Sequence, residues 1–595
     1  MSTKKIKDPV YGYIELDEDI VYDIIDTDTF QRLRNIRQTS YAPLYPASLH
    51  NRFVHSIGVY HLGKMAFSAL EKSLLYHEQQ KTNILGELRG LFQVEEWKRY
   101  QFLFELACLL HDVGHSPFSH TGEEFYRTSK SEKLLPYDAE VFQQKIDQAG
   151  TGKERADAKQ NSEDAKKYNY RKHLSYLTSD PVFLTSAGEN PAPHEIMSCI
   201  VAIEAFGGNQ AYFRDDLDKS FFARCITGTT YTDANLLSRD DYLSMDTAEH
   251  DEIKRKQLLN CLIKMLHSSV IDVDRLDYII RDASTMGYQS VSVDYERLLK
   301  GIVIVFEDDY NFTIGFHKNA ISVIENAVYA HDNEKKWIQG HPTILYDSFL
   351  LEKSIIHIEE KIKADYPDAK STLFSYDSLT KQGSTFGSMH VRYLGDADLI
   401  HYMKNVYSTS YSEEYFSRNT RRLPVWKSEA EFRNLFDDGE RKLMNKAMAT
   451  IMTCGNQMST SVEVNESAIR EIDEEINAAR ASNHKNMADT HEKKKRCFEA
   501  LIHVCTAHNV ETNLVLLSAS FFKSNFFKGE VQKLLIMFPD GNDKCRLEDV
   551  STTLSSNSLG DGKLVYLFYY PKNRKSKVRI RNFTRDLVAE FKKVL

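Results

Sequence analysis

The feature that most constrains this chain is the apolar stretch Phe102 to Leu110, which ends in His111-Asp112 within the run Leu109-Leu110-His111-Asp112-Val113-Gly114-His115. The stretch reads as a buried helix, so the His and Asp are delivered to the protein interior. A carboxylate carried there is costly unless something pairs with it. A cation is the cheapest partner, because it neutralises Asp112 and takes a neutral imidazole as a second ligand. A plain hydrogen-bonded His-Asp pair at a helix end is the simpler reading of the dipeptide taken alone.

At 595 residues the chain is long enough for at least two structural units. A net charge of −9 argues against a surface built to coat nucleic acid. One stretch runs the other way: Lys572 to Arg585 carries seven cations and no acid, and reads either as a solvated hairpin face or as a phosphate-binding surface. The cysteines are scattered without CxxC pairing, and Cys108, Cys199 and Cys261 lie in apolar surroundings, as expected of reduced thiols in a cytoplasmic protein. No apolar run approaches the ~18 residues of a membrane span. The opening residues, Met1 to Asp8, lack the apolar core of a secretory signal.

The expected fold is mostly α, a helical core with a smaller α+β lobe at the C-terminus. Residues 1–365 form one helical body, with Ile57, Leu62, Met65, Ala66 and Leu70 at helical spacing and a polar insertion at about 143–172. A helical extension follows over 366–462. Residues 463–505 alternate charge along an amphipathic helix, in which Ile469, Ile472, Ile476 and Ala479 recur at three- and four-residue steps. The segment 506–595 supplies the α+β lobe, with strand-like runs Leu514–Ala519, Val531–Met537 and Leu564–Tyr570 between turn-rich segments.

Three further segments have the chemistry a metal site needs. Asn51-Arg52-Phe53-Val54-His55 opens an amphipathic helix and offers an imidazole and a guanidinium. The run Ile271 to Asp282 places Asp274, Asp277, Tyr278 and Arg281 on one helical face, with Asp282 beside it. Such a face is expensive to bury without a cation or phosphate to neutralise it. Pro193-His194-Glu195 begins another helix.

The order His, then His-Asp, then a distant Asp resembles the ligand set of the HD-domain metal phosphohydrolases. Asp8-Pro-Val-Tyr-Gly-Tyr-Ile-Glu-Leu16, Phe30-Gln-Arg-Leu-Arg34, His50-Asn-Arg-Phe53, His111-Asp-Val-Gly-His-Ser-Pro-Phe-Ser-His120 and Ile271-Asp-Val-Asp-Arg-Leu-Asp-Tyr278 extend the likeness to the dGTPase-like deoxynucleoside triphosphate triphosphohydrolases. It resembles most the branch that in animals carries a SAM domain, here without that domain. The likeness covers about 1–140 and 190–360 well and the later segments more loosely.

The resemblance implies that His55, His111, Asp112 and Asp274 hold a divalent metal, with Mn, Fe or Zn all suited to the donor set. It implies hydrolysis of a nucleoside triphosphate at the α-phosphate, with His120 as general acid and Glu123 orienting it. His115 and His194 match phosphate-contacting positions, and Arg52 and Arg275 would bind the triphosphate, with Mg²⁺ on the β- and γ-phosphates. Tyr278 and Asp282 would lie by the sugar and Gln38 near the ribose or base edge. Asp26, Gln31 and Arg34 match positions that read guanine in an activating site, so a nucleotide effector and a homo-oligomer are implied.

The chain departs from the family in five places. Glu123 stands for Asp, Arg275 for Lys, Thr39 for Leu and Tyr13 for His, and Lys335 to His341 lacks the aromatic, sugar-packing version. A further expectation resting on the family is dNTP depletion in antiviral defence. Two competing readings are a phosphodiesterase acting on cyclic or oligonucleotides, and a nucleotide-sensing or nucleic-acid-binding protein with a vestigial site.

Overall fold

The computed structural model describes residues 2–79, 90–126, 133–135, 169–184, 191–234, 237–268, 271–288, 292–308, 310–454, 457–482, 485–520, 529–538, 544–551, 563–569 and 580–594. The chain is mostly helical with a few small sheets, the fold class its periodicity implies. It divides into two compact units. The first comprises Met1–Asp332, Ile355–Tyr407 and Ser524–Ser556; the second comprises Asn333–Ser354, Ser408–Lys523 and Asn557–Leu595. The C-terminal segment 506–595 is therefore shared between them. Residues 143–168 of the polar insertion, and Lys572 to Arg579 of the basic run, lie outside the described residues.

The first unit opens with an antiparallel hairpin, β1 (Thr3–Asp8) and β2 (Gly12–Asp17). Asp8 makes its turn by accepting hydrogen bonds from Val10 N at 2.8 Å and Tyr11 N at 3.0 Å, and Gly12 closes it at φ +80°. Helices α1 (Arg52–Gln79), α2 (Val94–Leu110), α3 (His120–Tyr126), α4 (Pro193–Phe206) and α5 (Val273–Met286) surround the candidate site. α1 packs on both α2 and α5, and α4 packs on α3. α2 crosses α1 closely: a Cβ on Gly63 would lie 2.6 Å from Cys108 Sγ. Every residue from Leu103 to Leu110 is buried, so α2 ends inside the unit with His111 as its C-cap.

A four-stranded sheet completes this unit, in the order β6-β5-β4-β3, where β3 is Ile302–Phe306, β4 Phe312–His317, β5 Leu535–Met537 and β6 Lys544–Arg546. β3 and β4 are antiparallel, whereas β5 joins β4 in parallel across more than two hundred intervening residues. Local periodicity carries no signal for such a pairing.

The second unit holds an antiparallel sheet ordered Ser461–Val464, Leu514–Ser520, Lys563–Tyr569 and Leu423–Pro424. Trp426, Met444, Leu501, Leu516, Leu567 and Phe591 belong to its core. The stretch 463–505 forms two helices here, Glu466–Ala481 and Lys485–Ala507, packed on each other. The stripe Ile472, Ile476 and Ala479 is buried as its spacing implies. No described helix is long and apolar enough to cross a membrane.

Candidate active site

α1, the end of α2 and α5 bring His55, His111, Asp112 and Asp274 together. The imidazole Nε2 atoms of His55 and His111 lie 3.3 Å apart, and Asp274 Oδ1 lies 2.9 Å from the first and 3.5 Å from the second. Asp112 places Oδ2 3.5 Å from His55 Nε2 and Oδ1 3.5 Å from His111 Nε2. The opposite nitrogen of each ring is already used. His111 Nδ1 donates to the Cys108 carbonyl at 2.9 Å, and His55 Nδ1 donates to Asp277 Oδ2 at 2.7 Å. Both Nε2 atoms thus face one point, and their separation is close to the ~3 Å of neighbouring ligands each ~2.1 Å from one cation. The donor set fits a divalent metal. His55 is fully buried, whereas the Asp274 side chain is 39% exposed, so the cluster is open on one side.

The carboxylates of the cluster and the cationic groups beside them stabilise one another's charged forms. Burial would lower the His55 pKa, but its bonds to Asp274 and Asp277 outweigh that and raise it to about 9. Burial would raise the Asp112 carboxyl, yet Arg52, His111 and His55 hold it at about 2. Asp274 is held well below its usual range, with hydrogen bonds from His111 and His55 overcoming its desolvation.

Asp277, which the sequence reading placed on the right face without a role, proves to be a positioning group. It is fully buried, accepts from Arg281 Nε and Nη2 at 2.9 Å each, and Arg281 reaches on to Asp8 Oδ2 at 2.8 Å. Gly58 makes room for this pair: a Cβ there would lie 2.0 Å from Asp277 Oδ1 and 2.3 Å from Arg281 Nη2. The signal available in the sequence was the Asp277/Arg281 spacing, one helical turn apart.

A second cluster adjoins the first. Glu123 is buried, with its carboxylate 2.7 Å from His120 Nδ1, 3.0 Å from His194 Nδ1 and 3.4 Å from His115 Nδ1. His115 links the clusters, since its Nε2 lies 3.3 Å from Asp112 Oδ1. Its ring stacks on His194 with centroids 4.1 Å apart. Burial, then the neighbouring charges of Arg52 and His194, push the His115 pKa well down. Burial opposes the His194 charge, but Glu123 raises its pKa to about 9. His120 alone of the three is open to solvent, its side chain 70% exposed.

Two residues that sequence reasoning assigned no role hold the loop from His111 to His120. Arg32, quoted only within the Phe30–Arg34 motif, is buried and donates to the carbonyls of Val113 at 3.0 Å, His115 at 2.7 Å and Leu394 at 2.8 Å. Asp396 accepts from Phe118 N at 2.7 Å and Arg37 N at 3.1 Å. Phe118 and Ser119 have φ of +55° and +52°, a left-handed pair that costs ~1 kcal/mol or more per non-glycine residue and persists because these anchors determine it. Nothing near Asp396 in sequence points to this.

The remaining predicted residues are distributed unevenly. Arg52 is buried and committed, donating to Asp112 Oδ2 at 2.8 Å and Ser119 Oγ at 3.0 Å. Gln38 is buried, with Oε1 lacking a hydrogen-bond partner among the described residues. Arg275 and Tyr278 are half-buried on α5, Tyr278 edge-on to His331. Asp282 is 1% exposed and lies 2.6 Å from His50 Nε2, so its carboxylate faces protein. Asp26 and Arg34 are exposed and Gln31 is half-buried; Arg34 Nε donates to Gln31 Oε1 at 2.7 Å, and its guanidinium lies over the Phe53 ring.

No protein-family model matches the chain. It is 25% identical over 323 residues to an uncharacterized protein of Mycoplasma genitalium, covering 54% of this chain and 52% of that one. It is 28% identical over 300 residues to the deoxynucleoside triphosphate triphosphohydrolase SAMHD1 of Xenopus laevis, covering 50% of this chain and 36% of that one. The chain thus spans about half the length or less of these curated relatives. Among solved structures, a phosphohydrolase from Bacteroides thetaiotaomicron aligns with 96% of this chain at 15% identity and a TM-score of 0.45.

Proposed function

We propose that this protein is a metal-dependent phosphohydrolase that cleaves nucleoside triphosphates at the α-phosphate, giving a nucleoside and inorganic triphosphate. The observation that carries the reading is the convergence of His55, His111 and Asp274, with Asp112 3.5 Å from both imidazoles, beside a separate His/Glu cluster. Similarity to a protein named as a deoxynucleoside triphosphate triphosphohydrolase supports it.

His55, His111, Asp112 and Asp274 would hold the cation, which supplies the Lewis acidity that makes water nucleophilic at neutral pH. Water adds to the α-phosphorus, giving up a proton to solvent, as the bond to the 5′ oxygen breaks. That oxygen takes a proton from His120, whose Nδ1 is held by Glu123 so that Nε2 faces outward. His194, positively charged beside Glu123, and neutral His115 would contact the phosphates. Arg52 would act mainly by fixing Asp112 and Ser119, and Arg275 would meet the triphosphate together with Mg²⁺. Tyr278 and Gln38 would face the sugar and base, while Asp282, committed to His50, would brace α5 instead. We further propose that Asp26, Gln31 and Arg34 form an effector surface in a homo-oligomer.

Incubating the full chain with each ribo- and deoxynucleoside triphosphate in Mn²⁺ and Mg²⁺, and resolving the products, tests the reading. Nucleoside with intact triphosphate is expected. Pyrophosphate or orthophosphate without triphosphate overturns it.

A further inference from the structure

The turn of the N-terminal hairpin is linked to a proposed metal ligand through three buried charges. Asp8 divides its carboxylate between two tasks. Its Oδ1 closes the β1–β2 turn onto Val10 N and Tyr11 N, and its Oδ2 accepts from Arg281 Nη1 at 2.8 Å. Arg281 carries the link onward through Nε and Nη2 to Asp277, whose Oδ2 accepts from His55 Nδ1 at 2.7 Å. Two carboxylates therefore share one guanidinium, and Asp8, Arg281 and Asp277 are 4%, 1% and 0% exposed.

The hairpin leaves Asp8 little freedom. Its register is continuous from Thr3↔Asp17 to Asp8↔Gly12, and Ile14 and Leu16 of β2 are fully buried. Tyr11, in the turn itself, stands over the guanidinium with its ring centroid 5.5 Å from Arg281 Cζ, and packs edge-on against Tyr295.

The second carboxylate affects what the first can do. Charges removed from water interact strongly, so an Arg281 neutralised by Asp277 alone would hold that carboxylate more tightly. With Asp8 on the guanidinium as well, Asp277 keeps more of its acceptor strength for the N–H of His55. A stronger bond at Nδ1 makes Nε2 a better metal donor.

We propose that Asp8 is a positioning residue for the metal site, acting through Arg281 and Asp277 on His55, an inference that rests on the metal-dependent reading above. The hairpin then serves the site from outside it. By linkage the effect is reciprocal, so a bound cation tightens the hairpin turn.

Mn²⁺ titration of the chelator-stripped full chain, read by the electron paramagnetic resonance of free Mn²⁺, tests this in a double-mutant cycle. Asp8→Asn retains an acceptor for Val10 N and Tyr11 N but offers Arg281 no anion. It should weaken Mn²⁺ binding about tenfold, within the range for loss of an orienting partner. In an Arg281→Gln background, where one anion and one cation are removed together, the same substitution should change affinity by less than about twofold. A merely structural role would give the same loss in both backgrounds. Unchanged affinity after Asp8→Asn, or equal losses in the two backgrounds, overturns the proposal. Failure of the metal reading looks different: Mn²⁺ affinity would then be unmoved by Asp112→Ala and Asp274→Ala, and the proposal would fall with it. Should the variants fail to fold, hydrogen exchange on the wild type decides. Mn²⁺ should slow exchange of the Val10 and Tyr11 amides by roughly fivefold or more, and unchanged exchange there with Mn²⁺ bound overturns the proposal.

Discussion

Asp277 Oδ2 accepts a 2.7 Å hydrogen bond from His55 Nδ1, and that contact decides which edge of the imidazole faces Asp274. The carboxylate is in turn gripped by Arg281 through two 2.9 Å bonds. Arg281, His55 and its own helix therefore hold Asp277 at full burial, and Asp277 holds the tautomer that a metal requires.

Asp277→Asn should lower metal affinity by ~10–100-fold, the usual cost of losing an orienting partner. It should also lower the melting temperature, because among the described residues Arg281 then keeps only Asp8 as a carboxylate partner. Competition with a graded chelator reads the first effect and calorimetry the second. Undiminished affinity would remove Asp277 from the positioning role.

Asp112→Ala and Asp274→Ala should each abolish turnover with loss of bound metal, measured by elemental analysis of the purified chain. Retained metal and activity in both would refute the ligand assignment.

Glu123→Gln and His120→Ala should reduce turnover by ~10²–10⁴-fold while leaving metal content unchanged, since general acid catalysis contributes in that range. Equal loss of metal would show that the two clusters act as one binding site.

Gly58→Ala should reproduce the Asp277 defect without touching a charged residue. The added Cβ would fall 2.0 Å from Asp277 Oδ1 and force that carboxylate away from His55. Wild-type metal affinity in this variant would show that α1 shifts freely.

Burial raises the Asp396 pKa to about 6, even though backbone bonds from Phe118 and Arg37 favour its charged form. The sign follows from linkage: between an unfolded value of ~3.9 and the folded value the native state holds the extra proton. Asp396 therefore makes stability fall as pH rises from about 4 to about 6, by roughly 3 kcal/mol at one pKa unit per 1.4 kcal/mol, and adds no slope above that. Asp396→Asn should remove this component, so the melting temperature of wild type relative to the variant should decline across that window. A constant difference would contradict it.

The fold class and the grouping of His55, His111, Asp112 and Asp274 were legible because their signals are local or chemically rare. The burial of Leu103–Leu110 follows from its composition, and ionised residues among apolar ones mark α5. Arg32 and Asp396 were not legible as parts of the site. Arg32 contacts Leu394, and Asp396 contacts Phe118 from 278 positions away. No periodicity or spacing encodes such a pairing. The single helix read over 463–505 is two, because alternating charge and an apolar stripe report a helical face and not its length.

Residue types and their pattern dictate the kind of chemistry: imidazoles and carboxylates delivered into apolar surroundings need a cation or a network to neutralise them. How each group is committed follows from the folded arrangement alone. It turned Asp277 into the partner of His55, tied Asp282 to His50 and Arg52 to Asp112, and left His120 exposed beside a buried Glu123. The reason is physical: a residue type states what a group can bind, whereas its hydrogen-bond partners and its access to water, both set by distant segments, state what remains free to react.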